Sequence, residues 1–166
     1  VFSVPESDVN AVKVLFSQSL EPGDQMLQQM GRTLFFASLG ENASYLANDI
    51  DYDLLPMQNS DGGFGRYETS ESDLLLSVFA ATQDDFQCDK AALKSYFLYR
   101  LTNADNQETA ALACWGLSCF DADCSKSMAK LANDSALTLR GKLYLAEAYL
   151  AAGDKVNAEK IYKQLK

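Results

Sequence analysis

The chain has 166 residues, of which 48% are hydrophobic and 22% charged, enough for one domain with a buried core and ordinary for a globular protein. A formal net charge of −9 without any basic stripe argues against nucleic acid or an anionic membrane as partner. Histidine is absent altogether, which excludes His-based acid–base catalysis, Ser-His-Asp and Cys-His arrangements and every histidine metal ligand. The sequence opens at Val1 rather than methionine, as expected of a processed chain or a piece of a longer one, and holds no apolar stretch of transmembrane length.

Residues 1–22 read as a lead-in segment, helical or extended, and residues 23–166 as a single α/α helical domain. The only prolines are Pro5, Pro22 and Pro56, so nothing interrupts a helix in the C-terminal two thirds. Apolar spacing predicts a first helix from Asp24 to Leu39, closed by Gly40, and a second from Asn42 to Leu55 with Leu46, Ile50 and Leu54 on one face. A glycine-rich loop follows: Gln58, Asn59, Ser60, Asp61, Gly62, Gly63, Phe64, Gly65. Ser70 with Asp73 three residues on has the form of a capping box, placing a third helix over Glu71–Gln83. Further helices are expected at Asp89–Leu101, Asn106–Phe120, Ser125–Asn133, Leu137–Ala152 and Lys155–Leu165, with Gly153-Asp154 as a stop and restart between the last two.

The odd-numbered of these eight helices are apolar on most faces, whereas the even-numbered ones carry a single apolar stripe. A helix apolar all round must be buried, and a striped one covers it from outside. The expected fold is therefore all-α: a double layer of antiparallel helix pairs, either closed as an α/α toroid or left as a partial, open arc. Inner helices recurring every thirty-odd residues also suit a tetratricopeptide-like α-solenoid, the alternative architecture.

The stretch Gln58 to Gly65, followed by Ser72-Asp73 and an apolar helix, resembles the repeat loop of the α/α-toroid superfamily, which includes terpenoid cyclases, protein prenyltransferase β subunits and thioester domains. It is most similar to the Gln-x-x-Asp-Gly-Gly-Phe loop of bacterial α2-macroglobulin-like proteins. The segment Leu139 to Ala146 and the turn Ala152 to Lys155 are similar to the end of that thioester domain, so the likeness spans roughly Glu21 to Lys166. Active members carry a Cys-x-Glu-Gln motif whose cysteine is acylated by the glutamine. The corresponding place here is Pro22-Gly23-Asp24-Gln25-Met26, which keeps Gln25 but has no cysteine before Cys88. The resemblance thus implies a thioester domain without its reactive sulfur: a non-catalytic structural or protein-binding module of a larger extracytoplasmic protein, secreted, periplasmic or at the cell surface. It implies no cofactor and no metal, and as partners other domains of the same polypeptide or another protein. The alternatives are an α/α-toroid enzyme acting on a lipid or glycan in a central cavity, and a tetratricopeptide-like scaffold binding a peptide.

Other candidate sites are weighed against plainer roles. Asp61, Asn59 and Asp73 could hold calcium, but turn chemistry alone accounts for every residue type in the loop. Asp49, Asp51 and Asp53 begin like an EF-hand, but Leu54 replaces the required glycine and Ser60 the closing glutamate. Asp84 and Asp85 carry no mark of a paired catalytic dyad. Tyr96, Trp115, Tyr144 and Tyr149 are candidates for an aromatic-lined groove, with core packing as the default. Four cysteines permit two disulfides, and Cys119 and Cys124, flanking a short turn, are the candidate pair; buried thiols are the equal alternative.

Overall fold

The computed structural model describes Met26 and residues 57–67, 69–83 and 87–165. Met26 apart, the first two expected helices lie outside these residues, as do the lead-in segment, the acidic trio Asp49, Asp51 and Asp53, and the pair Asp84-Asp85.

The described residues are mostly helical. Six α-helices follow one another: α1 (Leu74–Ala81), α2 (Lys90–Thr102), α3 (Gln107–Ser118), α4 (Ser125–Ala132), α5 (Leu139–Ala151) and α6 (Lys155–Tyr162), the last extended by a 3-10 turn at Lys163–Leu165. Two-residue strands β1 (Phe64–Gly65) and β2 (Ser72–Asp73) precede them, paired antiparallel with Phe64 opposite Asp73 and Gly65 opposite Ser72. Five of the helices start on a side-chain cap. Asp73, Asp89, Asn106, Thr138 and Asp154 accept the backbone N–H of Leu76, Ala92, Thr109, Gly141 and Asn157 respectively, satisfying donors that the helix itself leaves unpaired.

Here the expected third helix needs correcting. It begins at Leu74, not Glu71, because Ser72 and Asp73 are spent on pairing with the glycine loop. Asp73 alone caps it. Ser70 instead closes a local turn, its hydroxyl accepting from the Tyr67 N–H at 2.9 Å and donating to the Tyr67 carbonyl at 3.0 Å.

α3 lies against both α1 and α5, α2 covers α1 and α3, α4 covers α3 and α5, and α6 covers α5. α3 can occupy the middle because most of its circumference is small or apolar: Ala111, Leu112, Ala113, Cys114, Gly116 and Leu117 are all buried. Gly116 admits the ring of Phe97 from α2, and a Cβ there would lie 2.6 Å from that ring. α4 buries only Met128 and Leu131, as a single stripe should. α5 departs from expectation: Tyr144, Leu145, Ala148 and Tyr149 are buried, but Leu139, Leu143 and Leu150 are 67%, 41% and 49% exposed. Its neighbours are α3, α4, α6 and the closing 3-10 turn.

Substituting Gly116→Ala should lower stability by about 1–3 kcal/mol through overpacking against Phe97. A denaturant midpoint equal to that of the parent would show that the ring can turn aside.

Candidate functional site

The glycine loop is a buckle whose polar groups bond mainly to one another. Gly62 N–H donates to the Asn59 carbonyl at 2.9 Å, and Asn59 N–H to the Gly63 carbonyl at 2.8 Å. The Asp61 carboxylate accepts from Gly63 N–H at 3.0 Å and from the Ser72 hydroxyl at 2.7 Å. The Asn59 amide donates to the Ser70 carbonyl and the Ser72 hydroxyl. Gln58 spans to α2: its amide N–H donates to the carbonyls of Gly62 and Asp89, and its oxygen accepts from Asp89 N–H at 2.8 Å. Phe64 is fully buried, and its N–H donates to the Ser77 hydroxyl at 2.8 Å, which in turn donates to the Asp73 carbonyl at 2.7 Å. Gly62 holds a φ of +88°, and a Cβ there would stand 2.3 Å from the Ala92 carbonyl oxygen. Asn59, Asp61 and Asp73 are thus engaged in turn and cap bonds. Among the described residues no group of three His, Cys, Asp or Glu converges on a metal position.

Gln25, the counterpart of the thioester glutamine, lies outside the described residues. Its neighbour Met26 is fully buried and donates its N–H to the Arg66 carbonyl at 3.2 Å, at the exit of the glycine loop.

The four candidate groove aromatics do not share a groove. Tyr96 is buried behind the loop against Gly63, with the Arg100 guanidinium 6.0 Å from its ring centre. Trp115 packs edge-on to Phe79 and stacks on Tyr144, both at 6.2 Å, joining α1, α3 and α5. Tyr149 is buried elsewhere, where α5 meets the turn between α3 and α4. Burial pushes the phenols of Tyr96 and Tyr149 above their usual range. Core packing, the plainer role, accounts for their placement.

At one end of the bundle, the N-termini of α1, α3 and α5 line a cavity of about 240 Å³ together with Arg100. Glu108 joins two of these ends, accepting from the Thr138 hydroxyl at 2.7 Å and from Arg140 Nε at 2.6 Å. Those bonds, the Thr138 one foremost, hold its carboxyl below the usual glutamate value. At the other end, Asp121 turns the chain with a φ of +52°, which an aspartate tolerates. All four cysteines are thiols, the candidate pair Cys119 and Cys124 included. The Cys119 sulfur points back to the Trp115 carbonyl at 3.4 Å, whereas Cys124 turns inward to Cys114 and Ser118.

Sequence reasoning missed Ser77, Glu108, Arg140 and Ser118. Ser77 left a trace as the one hydroxyl in an otherwise apolar helix. The Glu108–Arg140 contact joins positions too far apart in the chain for spacing to reveal.

No protein-family model matches the chain, and no curated protein and no solved structure matches it.

Two outcomes are expected. The Tyr96 hydroxyl is buried without a hydrogen-bond partner of good geometry among the described residues. Tyr96→Phe should therefore leave stability unchanged or raise it by up to about 1 kcal/mol, and a clear loss on thermal unfolding would reveal a bond to that hydroxyl. Glu108, with its lowered pKa, contributes stability fully present above its ordinary value of 4.5 and lost as pH falls through the lower folded value. The stability gap between the parent and Glu108→Gln should stay constant from neutrality to about pH 5 and close below it; a gap that persists in acid would contradict this.

Proposed function

We propose that this chain is a non-catalytic helical module, related to the thioester domain of α2-macroglobulin-like proteins, that serves as a structural or protein-binding part of a larger extracytoplasmic protein. The observation that carries the proposal is the glycine buckle. Gln58, Asp61, Gly62, Gly63 and Phe64 sit in the order of the family loop, and each has a structural task. Met26, one residue beyond Gln25, is tied to the exit of that loop. This is where a reactive ester would need its sulfur, yet the sequence has no cysteine before Cys88. The row α1–α3–α5, with α2, α4 and α6 outside it, is read as the inner and outer layers of a partial toroid. Among the described residues no helix is long and apolar enough to cross a membrane.

Labelled methylamine, incubated with the native chain and with chain unfolded and refolded in its presence, should not become attached. Covalent label at Gln25 would sink the proposal. Small-angle scattering tests the layering: a compact, closed arrangement of this length has a radius of gyration of about 15 Å, and a markedly larger value would favour the open solenoid.

A further inference from the structure

We propose that Cys114 and Cys124 form an intramolecular disulfide on exposure to an oxidising thiol–disulfide system, tying the last turns of α3 to the start of α4. Cys114 is fully buried on α3, and Cys124 occupies the N-cap position of α4, 6% exposed. The Cys124 sulfur lies 3.6 Å from the Cys114 carbonyl oxygen and 3.5 Å from the Ser118 hydroxyl. Ser118 itself donates to that same carbonyl at 2.9 Å. The connecting turn is held by Phe120 N–H and Ala122 N–H, both donating to the Leu117 carbonyl, and by Asp121 N–H donating to Ser118. The backbone of the turn therefore already sets the Cys124 sulfur against residue 114. Cys119 points away along α3, and Cys88 stands at the start of α2 beside Asp89 and Lys90.

The two thiols differ in acidity. The neighbouring Cys124 thiol and burial push Cys114 up, whereas Cys114 foremost, helped by Ser118, pulls Cys124 below the usual thiol range. Cys124 is therefore the sulfur that ionises first, and a thiolate is the attacking species in disulfide exchange. The chain neighbours of Cys124, Asp123 and Ser125, together with Ser118, Met128 and Tyr149, line a cavity of about 370 Å³. The Cys124 thiolate attacks one sulfur of an external disulfide, forming a mixed disulfide and releasing the first external thiolate. Cys114 then gives up its proton and attacks the Cys124 sulfur, expelling the second. The two protein thiols are oxidised, the external disulfide is reduced to two thiols, and both protons pass to the released thiolates.

The test uses the native chain equilibrated with oxidised glutathione, alkylated, and cut by chymotrypsin after Trp115 and Phe120, which separates Cys114, Cys119 and Cys124. The expected product is one linked peptide pair containing Cys114 and Cys124, formed equally well in a Cys88→Ser/Cys119→Ser double variant and absent in Cys114→Ser. Oxidation should raise the melting temperature by roughly 5 °C. A Cys119–Cys124 link, or no internal link in a chain that stays folded, would overturn the assignment. Neither result bears on methylamine attachment, so the two proposals fail separately.

Discussion

Between Gly62 and the first turn of α2 there is room for a hydrogen and nothing larger. That close approach is the constraint on which the loop end of the structure depends. It lets the Gln58 side chain reach both the loop and Asp89, so the strand-like segment and the start of α2 are locked together. With the loop pinned there, Phe64 is driven into the core and its N–H meets Ser77 on α1. A polar residue inside an apolar helix is normally a liability. Here it accepts from the buried Phe64 N–H and donates its own O–H to the Asp73 carbonyl. Loop, short ladder and helix start form one bonded unit, and Asp73 belongs to all three as strand residue, cap and acceptor.

The middle of the structure works by a different rule. Where α3 meets α2, Gly116 and Phe97 interlock as hole and knob. The Phe97 ring continues to Tyr96 on one side and Phe120 on the other, at 5.7 and 6.2 Å. A second aromatic chain, Phe79–Trp115–Tyr144, crosses the α1–α3–α5 row. Shape therefore sets the spacing of the helices, and polar chemistry is pushed to the two ends: the Glu108, Thr138 and Arg140 contacts at one, the sulfur and hydroxyl group at the other.

What could be read in advance was the part governed by local spacing. The starts of α2, α3, α5 and α6 follow from caps, and the α5–α6 turn from a glycine, all acting within a turn. Where distant segments compete for the same residues, spacing says little. Ser72 and Asp73 look like the first turn of a helix, but a partner strand at Phe64–Gly65 claims them. Ser70 fits a capping pattern and is taken by its own turn with Tyr67. The cysteines show the same limit: Cys119 and Cys124 are neighbours along the turn, yet the helical twist of α3 carries Cys119 away and brings Cys114, ten residues before Cys124, to face it.

The turn between α5 and α6 shows how differently two glycines can be held. Gly153 adopts a φ of +78°, but a Cβ added there would meet nothing within 4 Å. Only its torsion excludes other residues, and asparagine or aspartate can adopt that torsion at small cost. At Gly62 crowding and torsion act together. The final hairpin is therefore a place where the chain can drift in sequence, or accept a reporter side chain, while the buckle admits no such freedom.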